Sequence, residues 1–456
     1  MSRVAGDRAT LYDSRRSEAA QRAAFLNGEV PVAVYGLGKM GLPLAAVYAD
    51  VTGNTTGVDI DPTVVETVAA GDCHVSREPG LADLVADVSG SGALDATTDA
   101  RAAAADAAIH VLMVPTLLTE ADEPDLSALQ AAVEAIAAGL DPGDTVIVES
   151  TVPPRTARDC VVPTLADGSG LDPTEFGVAA CPERTVSGQA IADIRGTHPK
   201  VVGGVDEEST RVAALVYGEI TDNEVVEASE AAVAEAVKVF EGVYRDVNIA
   251  LANQLALYAD PLDLDVREAI DVANTLSVCD IHDPGPGVGG HCIPVYPHFL
   301  ASRPEIDASL LEVARSLNEG MPSYTVDLLE DALAERGVGI ADATVALLGV
   351  TYKDDIAELR NAPAIPIARE LRWSGADVLA VDPLVEDWDA VGDVVPVALD
   401  DLPGRDLDAV LVVTAHAEFR AFDWDALDPT VVVDSRDALA LDDTAHTVYT
   451  IGGRPP

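Results

Sequence analysis

The sequence predicts an α/β protein with two domains of alternating strands and helices, joined by a long central helix and a helical dimerisation region. Short apolar runs of strand length alternate with helical segments in the first half of the chain, and the same alternation returns in the last quarter. Between them, about thirty residues from Ser229 to Ala259 carry no proline and an apolar stripe, which favours one long helix. Alternating β and α segments indicate parallel sheets covered by helices, so both outer domains are predicted to be Rossmann-like.

The domain boundaries are predicted from these changes of pattern. Residues 1–29 form a polar N-terminal extension, residues 30–217 the first Rossmann-like domain, residues 218–330 the central helical domain, and residues 331–456 the second Rossmann-like domain. The extension is expected to be a tail or a short helix that packs on a partner subunit, and no chemistry is assigned to it. The long helix suggests a homodimer core, because an apolar stripe of that length commonly packs against a symmetry mate.

Acidic residues dominate the composition, with 78 Asp and Glu against 28 Lys and Arg and a net charge of −50. A field this negative repels polyanions and argues against nucleic-acid binding. The composition is similar to that of halophilic proteins, in which concentrated salt screens the self-repulsion. Lysine is rare, since only Lys39, Lys200, Lys238 and Lys353 are present, although a surface role is the simpler interpretation of Lys39 and Lys200.

The five cysteines are scattered and form no CxxC pair, so neither a disulfide framework nor a thiolate metal site is predicted. No run approaches the length of a membrane span, and no signal peptide is evident. We therefore expect a cytoplasmic protein with no metal and no membrane partner.

A glycine-rich turn follows the first predicted strand and leads into an apolar helix. The turn reads Gly36-Leu37-Gly38-Lys39-Met40-Gly41. Glycines allow the tight turn and the close approach of a pyrophosphate, to which the helix N-terminus donates N–H groups. Asp59 ends the next strand, 18 residues after Gly41, where a carboxylate binds ribose hydroxyls and repels a 2′-phosphate. The pattern predicts an NAD site rather than an NADP site, and a glycine turn without a cofactor is the alternative.

Polar residues follow three later strands, at the edge where α/β sheets bind their ligands. They are Thr116, the run Glu149-Ser150-Thr151, and Glu183. Glu183 is a candidate for acid–base chemistry. Taken singly, Thr116 and Glu183 are more typical of turns or helix caps, and only their shared position favours a functional role.

Two further candidates lie in the central domain. Lys238 is on an otherwise apolar face of the long helix, where a desolvated lysine can stabilise an oxyanion or act as a base. A lysine extended towards solvent is an equal alternative. Cys292 ends a loop that begins at Gly287 and has three glycines in four residues, which leaves the thiol open to a ligand. We interpret Cys292 as a nucleophile towards an aldehyde, with an incidental cysteine in a turn as the alternative.

The second α/β domain lacks a glycine fingerprint, so the chain is predicted to carry one dinucleotide site. Lys353, Arg360 and Arg436 follow its strands. Basic side chains at that edge of so acidic a protein suggest that the domain binds an anionic group such as a phosphate.

Together these motifs resemble the UDP-glucose/GDP-mannose dehydrogenase family over about residues 30–450. The resemblance rests on the glycine turn with Leu42-Pro43-Leu44-Ala45, Val114-Pro115-Thr116, Glu149-Ser150-Thr151-Val152-Pro153-Pro154, Pro182-Glu183-Arg184, the Lys238 helix, the Cys292 loop, and Tyr352-Lys353-Asp354 with Arg360. The stretches Arg245–Ala250 and Pro284–Cys292 are similar to the branch that oxidises UDP-N-acetyl-D-mannosamine (UDP-ManNAc), which favours this substrate over UDP-glucose.

The resemblance implies a four-electron oxidation of the sugar C6 hydroxyl to a uronate, with NAD⁺ accepting two successive hydrides. Cys292 attacks the intermediate aldehyde to form a thiohemiacetal, the second oxidation leaves a thioester, and water releases the product. Lys238 stabilises the oxyanion, while Glu183 and Thr116 hold or activate water.

The implied site residues fall into three sets. The catalytic set is Cys292, Lys238, Glu183 and Thr116; the cofactor set is Gly36, Gly38, Lys39, Met40, Gly41, Asp59, Thr116, Ser150 and Thr151; the substrate set is Glu183, Arg184, Lys238, Arg245, Asn248, Gly289, Gly290, Lys353 and Arg360.

Two positions depart from the family pattern. The family usually has an aspartate four residues after the cysteine and an asparagine four residues after the lysine, where this chain has Tyr296 and Gly242. Because both family residues help to place water or the oxyanion, three functions stay open. They are a UDP-sugar 6-dehydrogenase, a two-electron dehydrogenase that stops at the aldehyde or uses another alcohol, and a weakened paralogue that binds a nucleotide sugar without turnover.

Overall fold

The computed structural model describes residues 8–186, 188–441 and 443–454. The chain forms two compact units. The first runs to Phe240 and includes His298–Ser302, and the second contains Glu241–Pro297 and the residues from Arg303 onwards. The helical region predicted as a separate domain is therefore divided at Phe240, and most of it joins the second unit.

The first unit is built on an eight-stranded sheet. The strands of this sheet are β1 (Val32–Tyr35), β2 (Thr55–Val58), β3 (Leu94–Thr97), β4 (Ile109–Leu112), β7 (Thr145–Val148), β8 (Gly177–Ala180), β9 (Lys200–Gly204) and β10 (Val225–Glu227). Two short strands, β5 (Leu117–Leu118) and β6 (Pro124–Asp125), form a separate antiparallel pair. The order is β10-β9-β8-β7-β4-β1-β2-β3, parallel from β3 to β8, with β9 antiparallel to β8. This order confirms the predicted Rossmann-like domain.

The helices of the first unit cover a sheet that is buried on both faces. They are α1 (Glu18–Leu26), α2 (Gly41–Thr52), α3 (Pro62–Ala69), α4 (Leu81–Gly90), α5 (Ala100–Asp106), α6 (Ser127–Ala137), α7 (Val162–Ser169), α8 (Ala190–Ala192) and α9 (Glu207–Ile220). Side chains of β1 alternate between the two cores, since Val32 and Val34 belong to one and Ala33 and Tyr35 to the other. A strand buried on both faces explains why its sequence is uniformly apolar.

The N-terminal segment is part of the first unit. Leu11 and Phe25 are 2% and 0% exposed and belong to the same core as β1. Arg8 Nη2 lies 2.8 Å from Oδ2 of the buried Asp144. For residues 8–29 the expectation of a polar extension is therefore corrected, because their apolar side chains complete the core beside α9. Residues 1–7 lie outside the described part of the chain.

Two long helices dominate the central region. Its helices are α10 (Ala231–Ala256), α11 (Ala259–Leu262), α12 (Val266–Asn274), α13 (Tyr296–Ala301) and α14 (Ser309–Glu335). The long helix predicted over Ser229–Ala259 is α10. The sequence predicts two helices separated at Met321-Pro322, whereas α14 continues through this point. Met321 and Pro322 are both buried, so tertiary packing holds the helix together despite the hydrogen bond that proline cannot donate.

The second unit also contains a parallel sheet of six strands. They are β11 (Thr344–Leu348), β12 (Asp377–Val381), β13 (Val395–Pro396), β14 (Ala409–Val412), β15 (Val431–Asp434) and β16 (Thr447–Tyr449), with helices α15 (Ala364–Trp373) and α16 (Ala417–Arg420). The order β13-β12-β11-β14-β15-β16 repeats the order β3-β2-β1-β4-β7-β8 of the six parallel strands in the first sheet. This confirms the second Rossmann-like domain, although the sequence pattern does not predict β13 or β16.

The described helices include none that is long and apolar enough to cross a membrane.

Leu11 tests the packing of the N-terminal segment. Leu11→Ala removes buried methyl groups and leaves a cavity, so we expect the free energy of unfolding to fall by about 2–5 kcal/mol in urea denaturation. Leu26 is 43% exposed in the same segment, and Leu26→Ala should change the free energy by less than about 0.5 kcal/mol. Equally small effects at both positions would show that the segment does not contribute to the core.

Candidate active site

The glycine turn after β1 is shaped by close backbone packing. Gly36 has a φ of +94°, and a Cβ there would lie 2.3 Å from the carbonyl oxygen of Met113. A Cβ at Gly41 would lie 1.9 Å from the Gly36 carbonyl oxygen, whereas one at Gly38 would have no atom within 4 Å. The fold therefore requires Gly36 and Gly41, and Gly38 keeps the backbone open to a ligand, as a pyrophosphate needs.

Asp59, at the end of β2, is fixed beside this turn. Its Oδ2 accepts a hydrogen bond from the Leu37 N–H at 2.8 Å, and its Oδ1 accepts one from the Asp61 N–H at 3.0 Å. Each carboxylate oxygen keeps a second lone pair that can accept a ribose hydroxyl proton. Since α2 begins at Gly41, a helix N-terminus also lies at the turn. These residues fit an NAD molecule.

Lys39 and Met40 complete the turn. Lys39 is exposed, so its charge is accessible to an anionic ligand. The sulfur of Met40 accepts a hydrogen bond from Thr185 Oγ1 at 2.9 Å, which ties the turn to the segment after β8.

Thr116, Ser150 and Thr151 meet at the ends of two neighbouring strands, β4 and β7. Thr116 Oγ1 donates to the Thr151 carbonyl oxygen at 2.6 Å. Ser150 Oγ accepts from the Val114 N–H at 2.9 Å and donates to the Val114 carbonyl oxygen at 2.7 Å. The structure therefore brings these three residues together, and their hydroxyl groups hold the two loops in register.

Glu183 and Lys238 form a second group in the first unit. Within the described residues, Oε1 of Glu183 is buried and has no hydrogen-bond partner. Burial raises the pKa of the Glu183 carboxyl, and the positive charge of Lys238 opposes this rise. Glu183 is therefore protonated more readily than an exposed glutamate, which suits a general acid or base. Arg184 is used differently, because its Nη1 donates to the Pro199 carbonyl oxygen at 2.9 Å.

Lys200 has a buried partner that sequence reasoning missed. Its Nζ lies 2.8 Å and 2.7 Å from the two carboxylate oxygens of Glu149. The same Nζ lies 4.4 Å from the ring centroid of Tyr217, whose hydroxyl also donates to Glu149. All three residues line one pocket together with Glu183. A surface role for Lys200 is thus corrected, and the only sequence signal for it is the rarity of lysine.

In the second unit, the loop before Cys292 packs tightly on the segment that follows β11. The Gly290 N–H donates to the Arg360 carbonyl oxygen at 2.9 Å. A Cβ at Gly289 or at Gly290 would lie 2.8 Å from side-chain atoms of Tyr352. The two glycines are therefore required by this contact, and the Cys292 side chain is left exposed.

A buried polar network fixes the backbone just ahead of this loop, at Gly285. Asp246 on α10 accepts hydrogen bonds from Arg315 Nη1 at 2.6 Å and Asn318 Nδ2 at 2.9 Å, both on α14. Asn253 Nδ2 donates to Asn318 Oδ1 at 2.9 Å, and Asn253 Oδ1 accepts from the Gly285 N–H at 2.9 Å. Burial raises the pKa of Asp246, and the charge of Arg315 opposes this rise. The two helices therefore determine where the cysteine loop begins.

The remaining predicted substrate residues differ in their surroundings. Arg245, Lys353 and Arg360 are exposed, so their charges are accessible to an anionic ligand. Asn248 uses its amide inside the protein, where Nδ2 donates to a backbone carbonyl at 2.6 Å and Oδ1 accepts from the His282 N–H at 2.8 Å. Within this chain Asn248 therefore holds the backbone ahead of the cysteine loop.

The second sheet has its own acid at a strand end. Asp382 follows β12, and its Oδ2 accepts from the Val350 N–H at 2.8 Å and from the Thr351 N–H at 3.0 Å. His416 Nε2 lies 3.0 Å from the same oxygen, and Asp382 is only 8% exposed. The position corresponds to that of Asp59 in the first sheet, but protein groups surround it. Asp382 is therefore engaged by the protein itself and is less open to a ribose than the half-buried Asp59.

Tyr296 and Gly242, the two residues that depart from the family pattern, contact each other. Tyr296, at the start of α13, is 6% exposed, and its ring lies against Gly242 on α10. A Cβ at Gly242 would lie 2.3 Å from Cδ2 of Tyr296. The tyrosine therefore occupies the space in which a side chain at position 242 would begin, and the two replacements depend on each other.

Comparison with protein families identifies three matching segments in order along the chain. Residues 30–221 match the NAD binding domain of the UDP-glucose/GDP-mannose dehydrogenase family, residues 232–320 its central domain, and residues 346–441 its UDP binding domain.

Named relatives match about nine-tenths of the chain. A UDP-N-acetyl-D-mannosamine dehydrogenase of Pyrococcus horikoshii is 34% identical over 90% of this chain and 96% of its own length. The enzyme of the same name from Salmonella typhi is 32% identical over 89% and 98%. An NDP-N-acetyl-D-galactosaminuronic acid dehydrogenase of Ralstonia nicotianae is 33% identical over 89% and 95%.

Solved structures show the same architecture. The UDP-ManNAc dehydrogenase of Pyrococcus horikoshii superposes with a TM-score of 0.84 at 32% identity, covering 93% of this chain and 99% of the other. A UDP-glucose dehydrogenase of Pyrobaculum islandicum superposes with a TM-score of 0.82 at 27% identity, covering 93% and 98%.

The first Rossmann-like domain carries the dinucleotide turn and matches an NAD binding domain, and the second matches a UDP binding domain, which together define an NAD-dependent dehydrogenase. With all three domains matched, the chain belongs to the UDP-glucose/GDP-mannose dehydrogenase family. This confirms the predicted resemblance, the enzyme class of nucleotide-sugar dehydrogenases and NAD as the cofactor.

A glycine-to-alanine change inside a helix normally stabilises a protein. The contact between Gly242 and Tyr296 predicts that this change destabilises the protein at position 242. Gly242→Ala should lower the free energy of unfolding by about 1–3 kcal/mol, because the new methyl group overlaps the tyrosine ring. Combined with Tyr296→Ala, it should show a coupling energy of at least about 0.5 kcal/mol in a double-mutant cycle measured by urea denaturation.

Gly320 on α14 provides the matched control, because a Cβ there would have no atom within 4 Å. Gly320→Ala should stabilise the protein by up to about 1 kcal/mol through helix propensity alone. A Gly242→Ala variant as stable as Gly320→Ala would contradict the close contact.

Proposed function

We propose that the protein oxidises the C6 hydroxyl of a UDP-sugar to the uronate and that UDP-ManNAc is the preferred sugar. The observation that carries the proposal is the exposed thiol of Cys292 at the end of a glycine loop packed on the UDP binding domain. The sugar preference is supported by the names of two relatives and by the similarity of Pro284–Cys292 to that branch.

In the first unit, Glu183 and Lys238 supply the polar chemistry of the oxidation. Bound NAD⁺ provides the hydride acceptor, held by the turn from Gly36 to Gly41 and by Asp59. Glu183 exchanges a proton with the reacting hydroxyl or with water, as its raised pKa favours. Lys238 stabilises the negative charge that develops on oxygen.

In the second unit, Cys292 retains the aldehyde and makes it easier to oxidise. The thiolate sulfur adds to C6 of the aldehyde, and loss of a hydride from this adduct leaves a thioester that water hydrolyses. The exposed side chains of Lys353 and Arg360 can pair with the phosphates of the nucleotide. Thr116, with Ser150, holds the loops beside the cofactor turn in place.

Other functions have specific support. UDP-glucose is the second candidate substrate, because the solved UDP-glucose dehydrogenase superposes almost as well as the UDP-ManNAc enzyme. An NDP-N-acetylgalactosamine sugar is a third, because that relative has a similar identity. A weakened paralogue or a two-electron enzyme is favoured by the absence of the two usual family side chains. Tyr296 stands where the family has an aspartate, and Gly242 stands where it has an asparagine.

The ratio of NADH released to UDP-sugar consumed separates these functions. In molar KCl, with UDP-ManNAc, UDP-glucose and UDP-N-acetylgalactosamine as substrates, we expect two NADH per UDP-ManNAc and the highest kcat/KM for this sugar. One NADH per sugar would indicate a two-electron enzyme. Retained binding without NADH would indicate a paralogue without turnover.

Cys292→Ala should abolish uronate formation, because no thioester can form without the sulfur. Cys279 is a half-buried cysteine of the same unit, and Cys279→Ala should keep the wild-type rate. Unchanged uronate production by Cys292→Ala would rule out Cys292 as the nucleophile.

We also propose that the protein is a homodimer that associates through helices of the second unit. Leu251 on α10, Val272 on α12, and Leu310 and Val313 on α14 are between 48% and 66% exposed. Exposed apolar side chains on successive helices are unexpected in a chain of net charge −50 and are typical of a contact surface. A second copy is the occupant we favour, because a two-fold contact would bring the same apolar side chains together.

Light scattering after gel filtration tests the dimer. The wild-type mass should be twice 47.3 kDa, and Leu310→Glu combined with Val313→Glu should give monomers, because burying two carboxylates is unfavourable. Trp373 is 93% exposed on α15, and Trp373→Glu should remain dimeric. A wild-type monomer at micromolar concentration would contradict the proposal.

A further inference from the structure

His291, immediately before the nucleophilic cysteine, faces a carboxylate. Its Nε2 lies 2.5 Å from Oε1 of Glu358, whose side chain is 15% exposed against 40% for His291. Arg360 Nε lies 3.7 Å from the same oxygen. The carboxylate therefore engages one imidazole nitrogen, which leaves Nδ1 as the nitrogen that can take up a proton.

Tyr352 connects this pair with the thiol. Burial raises the pKa of Tyr352, and the negative charges of Glu358 and the Cys292 thiolate raise it further. The phenol therefore lies near both groups and stays neutral, as a hydrogen-bond donor. Cys292, His291, Glu358 and Tyr352 form one cluster, which lies entirely within the second unit.

The position four residues after the cysteine holds no acid in this chain. Tyr296 is buried there against Gly242. Hydrolysis of a thioester is accelerated by a group that takes a proton from the attacking water, and a phenol is a poor base at neutral pH. The imidazole of His291 is held by a carboxylate through Nε2, so that Nδ1 can accept this proton.

We propose that His291 is the base for hydrolysis of the thioester on Cys292 and that Glu358 is a positioning residue for His291. The inference rests on the proposed function, because it requires a thioester at this sulfur. The water oxygen bonds to the thioester carbonyl carbon, and one water proton passes to Nδ1 of His291. The tetrahedral intermediate then breaks its C–S bond, and the imidazolium returns the proton to the departing thiolate. The uronic acid is released without a change in oxidation state.

p-Nitrophenyl acetate tests this step without NAD or a UDP-sugar. The Cys292 thiolate displaces p-nitrophenolate and carries the acetyl group, whose loss is followed by mass spectrometry of the intact protein. His291→Ala should slow deacetylation by about 100-fold, and free imidazole should restore part of the rate. His298 is a half-buried histidine of α13. The variant His298→Ala is the matched control and should lose the acetyl group at the wild-type rate.

Glu358→Gln distinguishes a positioning role from a structural one. The carboxylate holds the imidazole through Nε2, so Glu358→Gln should slow deacetylation by about 10-fold, and Glu358→Asp should restore part of the rate. Acetylation of Cys292 should keep its wild-type rate in both variants, whereas a structural defect of the loop would slow both steps. Replacement of Glu305, which is exposed in the same unit, by glutamine is the control and should leave the deacetylation rate unchanged.

Each result separates this inference from the proposed function. A wild-type rate of deacetylation in the His291→Ala variant overturns the role of His291. If no UDP-hexose releases NADH while deacetylation still depends on His291, the proposed function fails, and His291 remains the base only for hydrolysis of an acyl group on Cys292. Absence of an acetyl group on Cys292 in the His291→Ala variant, in which hydrolysis should be slow, would show that this thiol is not a nucleophile and would overturn both.

Discussion

A carboxylate buried between two helices determines where the reactive loop begins. Asp246 on α10 binds Arg315 and Asn318 of α14, and Asn253 extends the contact to the backbone at Gly285. Removing one partner of a buried ion pair costs about 3–5 kcal/mol, because the other charge stays in the interior uncompensated. The thiol is thus placed by directional contacts that tolerate little change, while apolar packing around them is more permissive.

The central strands could be predicted from the sequence because they are buried on both faces. β1, β4 and β7 are short apolar runs bounded by turn residues, and all their residues are buried. Edge strands lack this signal. In the edge strand β3, which reads Leu-Asp-Ala-Thr, only the leucine is buried, and in the opposite edge strand β10, which reads Val-Val-Glu, no residue is buried. Their strand conformation comes from pairing with a neighbour, which no local pattern records.

Residue types at the site could be predicted, but their partners could not. Motif spacing identifies Glu183 and Cys292, whereas the pairing of Lys200 with Glu149 joins residues 51 positions apart. The complementarity of Gly242 and Tyr296 is likewise a property of two packed helices. Each position taken alone looks like a loss of function, while the structure shows one side chain filling the space left by the other.

The two strand-end acids show how one architecture serves two purposes. Asp382 and Asp59 each accept hydrogen bonds from the loop after the first strand of their sheet. Both aspartates therefore anchor the loop after the first strand of their sheet. Of the two, Asp59 is the one that stays open to a nucleotide. Exchanging Asp59 to admit a phosphorylated ribose would leave the Leu37 N–H without its acceptor. A change of cofactor preference in this chain consequently requires a second substitution that supplies a new acceptor for the glycine turn.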